Sequence, residues 1–260
     1  MFVVNLNPII VQLGPVQISW TGFFISLGIL VSVLLAEVRL RQSGFTPGLG
    51  LDLALAVLPT SFAGSRLFEV ADHWAFYAVH PVEIFTSGGA SLDGAMVAGL
   101  IASLIFLRHH RLSLGEPLDV VVLAVLVGLV LAVFGSFLAG DASGRAAAFG
   151  PSVSYPAASQ AQNTQAGIYP VEVYEAALYL VAAVFIARVR PGMVRTGVIF
   201  GAFLLVVGLD LFGLGFLREQ PVDLFGLGQA QIVGVVLAVG GTLVLANGRT
   251  VWNRAPQPSG

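Results

Sequence analysis

Val120-Val121-Val122-Leu123-Ala124-Val125-Leu126-Val127-Gly128-Leu129-Val130-Leu131-Ala132-Val133 is an unbroken apolar run inside a longer segment, about Leu118 to Ala139. A helix needs roughly 20 such residues to cross a hydrocarbon core. Six further segments read the same way: about Val16 to Ala36, Leu51 to Val70, Gly89 to Leu107, Val171 to Ala187, Thr196 to Leu217 and Gly228 to Ala246. The hydrophobic fraction is 57% and the charged fraction 10%, which excludes an ordinary soluble protein. The fold class expected is an all-α polytopic membrane protein with seven transmembrane helices. Residues 1–252 form its single domain, and 253–260 a disordered cytoplasmic tail.

The 12 basic residues are all arginine. Arg39 and Arg41 follow the first run, Arg108 and Arg111 the third, Arg188, Arg190 and Arg195 the fifth, and Arg249 and Arg254 the last. The positive-inside rule then puts the N-terminus outside and the C-terminus in the cytoplasm. Arg66, Arg145 and Arg218 break the alternation. All three map to the outer half of the bundle, so one outward-facing polar cavity is expected. Arginine's planar fork of donors suits a phosphate headgroup there.

The acids Asp93, Asp141, Glu172, Glu175 and Asp210 lie in or at the ends of apolar runs. An unpaired charge facing lipid costs a few kcal/mol, so each should face the interior, water or an arginine. The bland reading is that they only pair with arginines and lock helices together; Glu175 and Asp210 are assigned to that pairing. Gly201, Gly208, Gly213 and Gly215 read as helix-packing positions. Asp72 to Ser87, with Trp74, Phe76 and Tyr77, suits the headgroup level. Asp141 to Pro170 reads as a flexible external loop.

Other chemistries find little support. No cysteine is present, so disulfides and thiol chemistry are excluded. His73 and His80 lack a third ligand, and no metal or other cofactor is expected. No serine has a nucleophile-elbow context. A net charge of -2 without a basic stripe argues against nucleic acid. Met1 to Pro15 has no basic start, so a cleaved signal peptide is not expected. A transporter is disfavoured because no internal repeat is visible.

Several motifs together resemble the prolipoprotein diacylglyceryl transferase family. Ile18-Ser19-Trp20-Thr21-Gly22 resembles an early H-W-Y-G element, and Gly64-Ser65-Arg66-Leu67 a G-x-R element. His80-Pro81-Val82-Glu83-Ile84-Phe85, followed by Gly88-Gly89-Ala90-Ser91-Leu92-Asp93-Gly94, resembles H-P-x-x-I-F and G-G-M-S-F-H-G. Gly135-Ser136-Phe137-Leu138-Ala139-Gly140-Asp141-Ala142-Ser143-Gly144-Arg145 resembles the signature G-N-F-x-N-x-E-x-x-G-R. Tyr169-Pro170-Val171-Glu172-Val173-Tyr174-Glu175-Ala176 resembles H-P-x-Q-L-Y-E-A, and Phe216-Leu217-Arg218-Glu219 an F-x-R element.

The resemblance implies a bacterial inner-membrane, multi-pass enzyme of lipoprotein biosynthesis. Its reaction moves diacylglycerol from phosphatidylglycerol to the lipobox cysteine of a prelipoprotein. It implies that Arg66, Arg145, Arg218, Ser136 and Tyr174 contact a lipid headgroup and that Asp93 or Asp141 handles the proton. Partners would be phosphatidylglycerol or another phospholipid and a prelipoprotein signal peptide. The departures are specific. Family arginines fall on Val133 and Leu211, and a nearby glutamate on Gly215. The family histidine falls on Asp93, the tyrosine on Thr21, and two asparagines on Ser136 and Ala139. Three readings follow: a divergent transferase, a non-catalytic lipid- or protein-binding paralogue (a pseudoenzyme), or an altered transferase with another lipid or acceptor.

Overall fold

The computed structural model describes residues 1–13, 16–86, 89, 91–141, 144–156, 167–189, 194–219 and 226–247. Among the described residues, seven long helices form a bundle: α1 (Trp20–Gln42), α2 (Leu49–Asp72), α5 (Leu92–His109), α6 (Gly115–Ala139), α7 (Val171–Arg188), α8 (Val198–Gly215) and α9 (Gln229–Asn247). Two one-turn helices, α3 (Trp74–Tyr77) and α4 (Glu83–Thr86), lie between α2 and α5. α1, α2, α5, α6, α8 and α9 are long and apolar enough to cross a membrane. α7 has similar length but carries Glu172, Glu175 and Arg188. Leu55, Phe62, Ile105, Phe185 and Val236 are each more than 60% exposed on helix surfaces. That is the surface of a multi-pass membrane protein, whose solvent is lipid.

Glycine backbones let the helices approach closely. α1 packs most extensively on α6, α2 on α5, and α8 on α9. A Cβ at Gly28 would sit 2.7 Å from the Gly128 carbonyl oxygen, and one at Gly64 2.7 Å from that of Gly94. One at Gly208 would lie 2.6 Å from the Gly234 carbonyl, and one at Gly201 3.2 Å from that of Gly241. Between apolar helices in lipid, such close packing supplies attraction that water would otherwise drive. The Ser32 hydroxyl donates to the Ala124 carbonyl at 2.8 Å, adding a polar tie to the α1–α6 seam. Gly201 and Gly208 are packing positions as expected. Gly213 is not, since a Cβ there would meet open space.

At the arginine-rich end, carboxylates of one helix cap the start of another. Buried Glu37 of α1 accepts from the Gly48 and Gly50 amides at 2.7 and 2.9 Å and pairs with Arg41. Asp119 of α6 accepts from the Gly197 and Phe200 amides at 2.6 and 2.7 Å. Gly48 and Gly197 stand at φ +97° and +89°, a region costly for other residues, so neither supplies a capping side chain. The distant carboxylates satisfy the orphan amides instead and tie α1 to α2 and α6 to α8.

The opposite end is more built than the sequence suggests. α1 begins at Trp20 and not at Val16. Val16–Ser19 (β3) pairs antiparallel with Ile9–Leu13 (β2), and the Ser19 hydroxyl accepts from the Gly22 amide at 3.0 Å. Phe2–Val3 (β1) pairs in parallel with Val153–Ser154 (β4). Val153, Tyr155 and Ile168 form a small core with Val4 and Phe137. The segment 141–170 is therefore no simple flexible loop where it is described. Its Ala-, Gln- and Asn-rich centre, 157–166, lies outside the described residues, as does the tail 253–260.

Candidate functional site

The carboxylate-rich end gathers polar groups from all seven long helices. Thr21 at the start of α1 donates to Asp141 just beyond α6. Gln229 at the start of α9 donates through its amide nitrogen to Asp72 at the end of α2. Asp93 lies in the first turn of α5, Glu172 in that of α7, and Glu175 one turn further on. Glu172, Glu175 and Asp210 are each at most 5% exposed, so each needs a partner in place of water.

Arg218 is that partner for Glu175. It follows the end of α8, and its Nη2 pairs with Glu175 Oε1. Burial works against the guanidinium charge, but Glu175, then Glu172, Asp93 and Tyr179, outweigh it and raise its pKa above the ordinary value. Asp210 accepts from the Tyr179 hydroxyl at 2.6 Å and lies within electrostatic reach of Arg218. Sequence reasoning missed Tyr179. The signal was its spacing, since Glu172, Glu175 and Tyr179 recur on one helical face.

Arg145 meets Arg218 through the backbone. The Arg145 amide donates to the Leu217 carbonyl at 2.8 Å, and its Nε donates to the Arg218 carbonyl at 2.9 Å. Tyr155, from the small core above, also belongs here. Burial, with Glu172 and Asp141 nearby, pushes its phenol pKa up, so it stays a neutral hydroxyl. Ser136 is half-buried; its carbonyl accepts from the Asp141 amide at 3.2 Å and turns the chain out of α6. Tyr174 is half-buried in the first turn of α7, beside Glu175. Asp141 itself is exposed.

Arg66 is used differently from its two counterparts. Its Nε, Nη2 and Nη1 donate to the carbonyls of Ile84, Glu83 and Gly89 at 2.6, 2.7 and 2.9 Å. The guanidinium also lies 5.3 Å from the centre of the buried Tyr77 ring, a cation–π geometry. Arg66 thus clamps the connection between α2 and α5, while Trp74 and Phe76 stay exposed beside it. The structure brings Arg145, Arg218, Asp93, Glu175 and Asp210 together, and Val133 and Leu211 lie buried in the main apolar core.

The sequence model of the prolipoprotein diacylglyceryl transferase family matches residues 8–247. The phosphatidylglycerol–prolipoprotein diacylglyceryl transferase of Lactobacillus gasseri is 32% identical over 141 residues, 54% of this chain and 51% of the relative. That of Synechocystis sp. is 33% identical over 140 residues, 53% of this chain and 50% of the relative. Over these matches the chain spans about half the length of the curated relatives. The enzyme of the same name from Dehalococcoides mccartyi is 27% identical over 239 residues, 91% of this chain and 92% of the relative.

If Arg66 is the clamp of the α2–α5 connection, Arg66→Ala will raise amide hydrogen exchange across residues 83–86 by roughly ten-fold or more, the loss of charge-assisted bonds. Arg66→Lys will not restore protection, because an ammonium lacks the planar fork. Unchanged exchange in both variants contradicts the clamp.

Proposed function

This chain belongs to the prolipoprotein diacylglyceryl transferase family, and from that premise we propose that it binds phospholipid headgroups at its carboxylate-rich end and performs the family transfer only weakly. In this reading residues 1–252 form one transmembrane domain of seven crossings, α7 included, in a bacterial inner membrane. The N-terminus lies outside and the C-terminal tail in the cytoplasm. The arginine alternation supports that orientation. Arg145 and Arg218 supply headgroup contact, Ser136 and Tyr174 add hydroxyls, and Arg66 holds the adjoining loop.

The family reaction sets definite demands. The acceptor thiol gives its proton to a base and its sulfur bonds to a glyceryl carbon. The carbon–oxygen bond to phosphate breaks, and glycerol phosphate leaves as an anion. Asp93 or Asp141 is the base available to this chain. The departing phosphate needs preorganised donors. The observation that carries the reading is that Val133 and Leu211, where the resemblance places two family arginines, are packed in the apolar core. Arg218, which remains, is already paired with Glu175. A second reading, a transferase retaining the reaction, draws on the pairing of Arg145 with Arg218. An altered transferase would use the same groups on another lipid or acceptor.

A compartment reporter fused to the C-terminus is expected to be active only in the cytoplasm; activity outside overturns the orientation. Each lost charged hydrogen bond to phosphate is worth roughly 1.5–3 kcal/mol, so two losses slow turnover about 100-fold or more. Purified chain in vesicles of phosphatidylglycerol, given a lipobox peptide, will form thioether product at least that much more slowly than an enzyme carrying both arginines. Comparable turnover overturns the weak-transfer reading.

A further inference from the structure

The groups around Arg218 are mismatched to a simple anion. Asp93, Glu172, Glu175 and Asp210 stand within the field of a single half-buried guanidinium, with Arg145 joined to it through the backbone. Glu175 already takes the Arg218 Nη2 donor. A phosphate arriving alone meets an excess of carboxyls at close range in a low-dielectric setting. A simple cation relieves the carboxyls but meets the guanidinium.

Unfilled hydrogen-bonding capacity makes the point independently of charge. Among the described residues, the buried polar atoms here without a partner include Arg218 Nε, a donor; Asp210 Oδ1, an acceptor; and the Tyr155 hydroxyl, which serves as either. Asp210 is 2% exposed and its other oxygen is held by Tyr179, so Oδ1 cannot turn to water. A buried donor and a buried acceptor left open in one cluster call for a ligand that carries both complements.

We propose that this cluster takes a zwitterionic aminophospholipid headgroup, with its phosphate on Arg218 and Arg145 and its primary ammonium on Asp210 and Asp93. The proposal rests on the reading that the carboxylate-rich end binds a lipid headgroup, and it names the class. One such headgroup fills the open donor and the open acceptor together. A primary ammonium carries N–H donors for Asp210 Oδ1, whereas a quaternary ammonium has none. A neutral diacylglycerol has no phosphate for the guanidinium.

The test is lipid binding by the full chain in detergent, followed by native mass spectrometry. The probes are phosphatidylethanolamine, phosphatidylcholine, phosphatidylglycerol, diacylglycerol and free phosphoethanolamine. Phosphatidylethanolamine is expected to bind roughly ten-fold or more tightly than phosphatidylglycerol and phosphatidylcholine, the value of a charge-assisted hydrogen bond. Asp210→Asn will lose that preference while still binding phosphatidylglycerol, and Asp93→Asn, on a different helix, will reduce it if Asp210→Asn does not fold. Free phosphoethanolamine binding as tightly as the lipid assigns the site to a soluble ligand and overturns the lipid assignment. Equal or tighter binding of phosphatidylglycerol overturns the headgroup class and leaves the lipid-binding reading standing. No binding of any lipid overturns both.

Discussion

The ion pair between Arg218 and Glu175 is the contact on which the carboxylate-rich end depends. Glu175 is buried and Arg218 half-buried, a setting in which an unmatched charge is costly and a matched one still gives up much of its hydration. The pair decides what the neighbouring groups do. Glu172, Asp93 and Asp210 stand within the field of one guanidinium. Through the Arg218 carbonyl and the Leu217 carbonyl the same short segment also anchors Arg145. Helices α5, α7 and α8 and the segment after α6 therefore share one electrostatic centre.

Around that centre the scaffold is made by close approach of backbones. Gly28 against Gly128, Gly64 against Gly94 and Gly208 against Gly234 give three seams with no room for a side chain. At the far end Glu37 and Asp119 replace the missing caps of α2 and α8. Polar groups thus tie the helices at both ends, and the middle is apolar. Val133 and Leu211 belong to that middle.

The long helices were legible because an apolar run of fixed length is a one-dimensional signal. Apart from α1, which runs Trp20–Gln42 and not about Val16 to Ala36, every start and end lies within a few residues of the expected limit. The anomalous arginines and acids were legible for the same reason, as charges interrupting such runs. What was hidden depends on partners far apart in the chain or without side-chain identity. Phe2 meets Val153, and Tyr155 meets Phe137, through pairings no local pattern encodes. Arg66 spends its donors on backbone carbonyls, and any residue supplies those. Among the described contacts Arg145 joins Arg218, whereas Arg66 bonds the carbonyls of the α2–α5 connection, a distinction that composition does not encode.

The most direct measurement is a double-mutant cycle on Arg218→Gln and Glu175→Gln, read by thermal unfolding in detergent. Each single variant leaves a buried charge without its partner, at a cost of about 3–5 kcal/mol. The double variant removes both charges, so the account predicts that it is more stable than either single one. It also predicts a coupling of roughly 1.5 kcal/mol or more between the two positions. Additive losses, with coupling under about 0.5 kcal/mol, would contradict the claim that this pair organises the carboxylate-rich end.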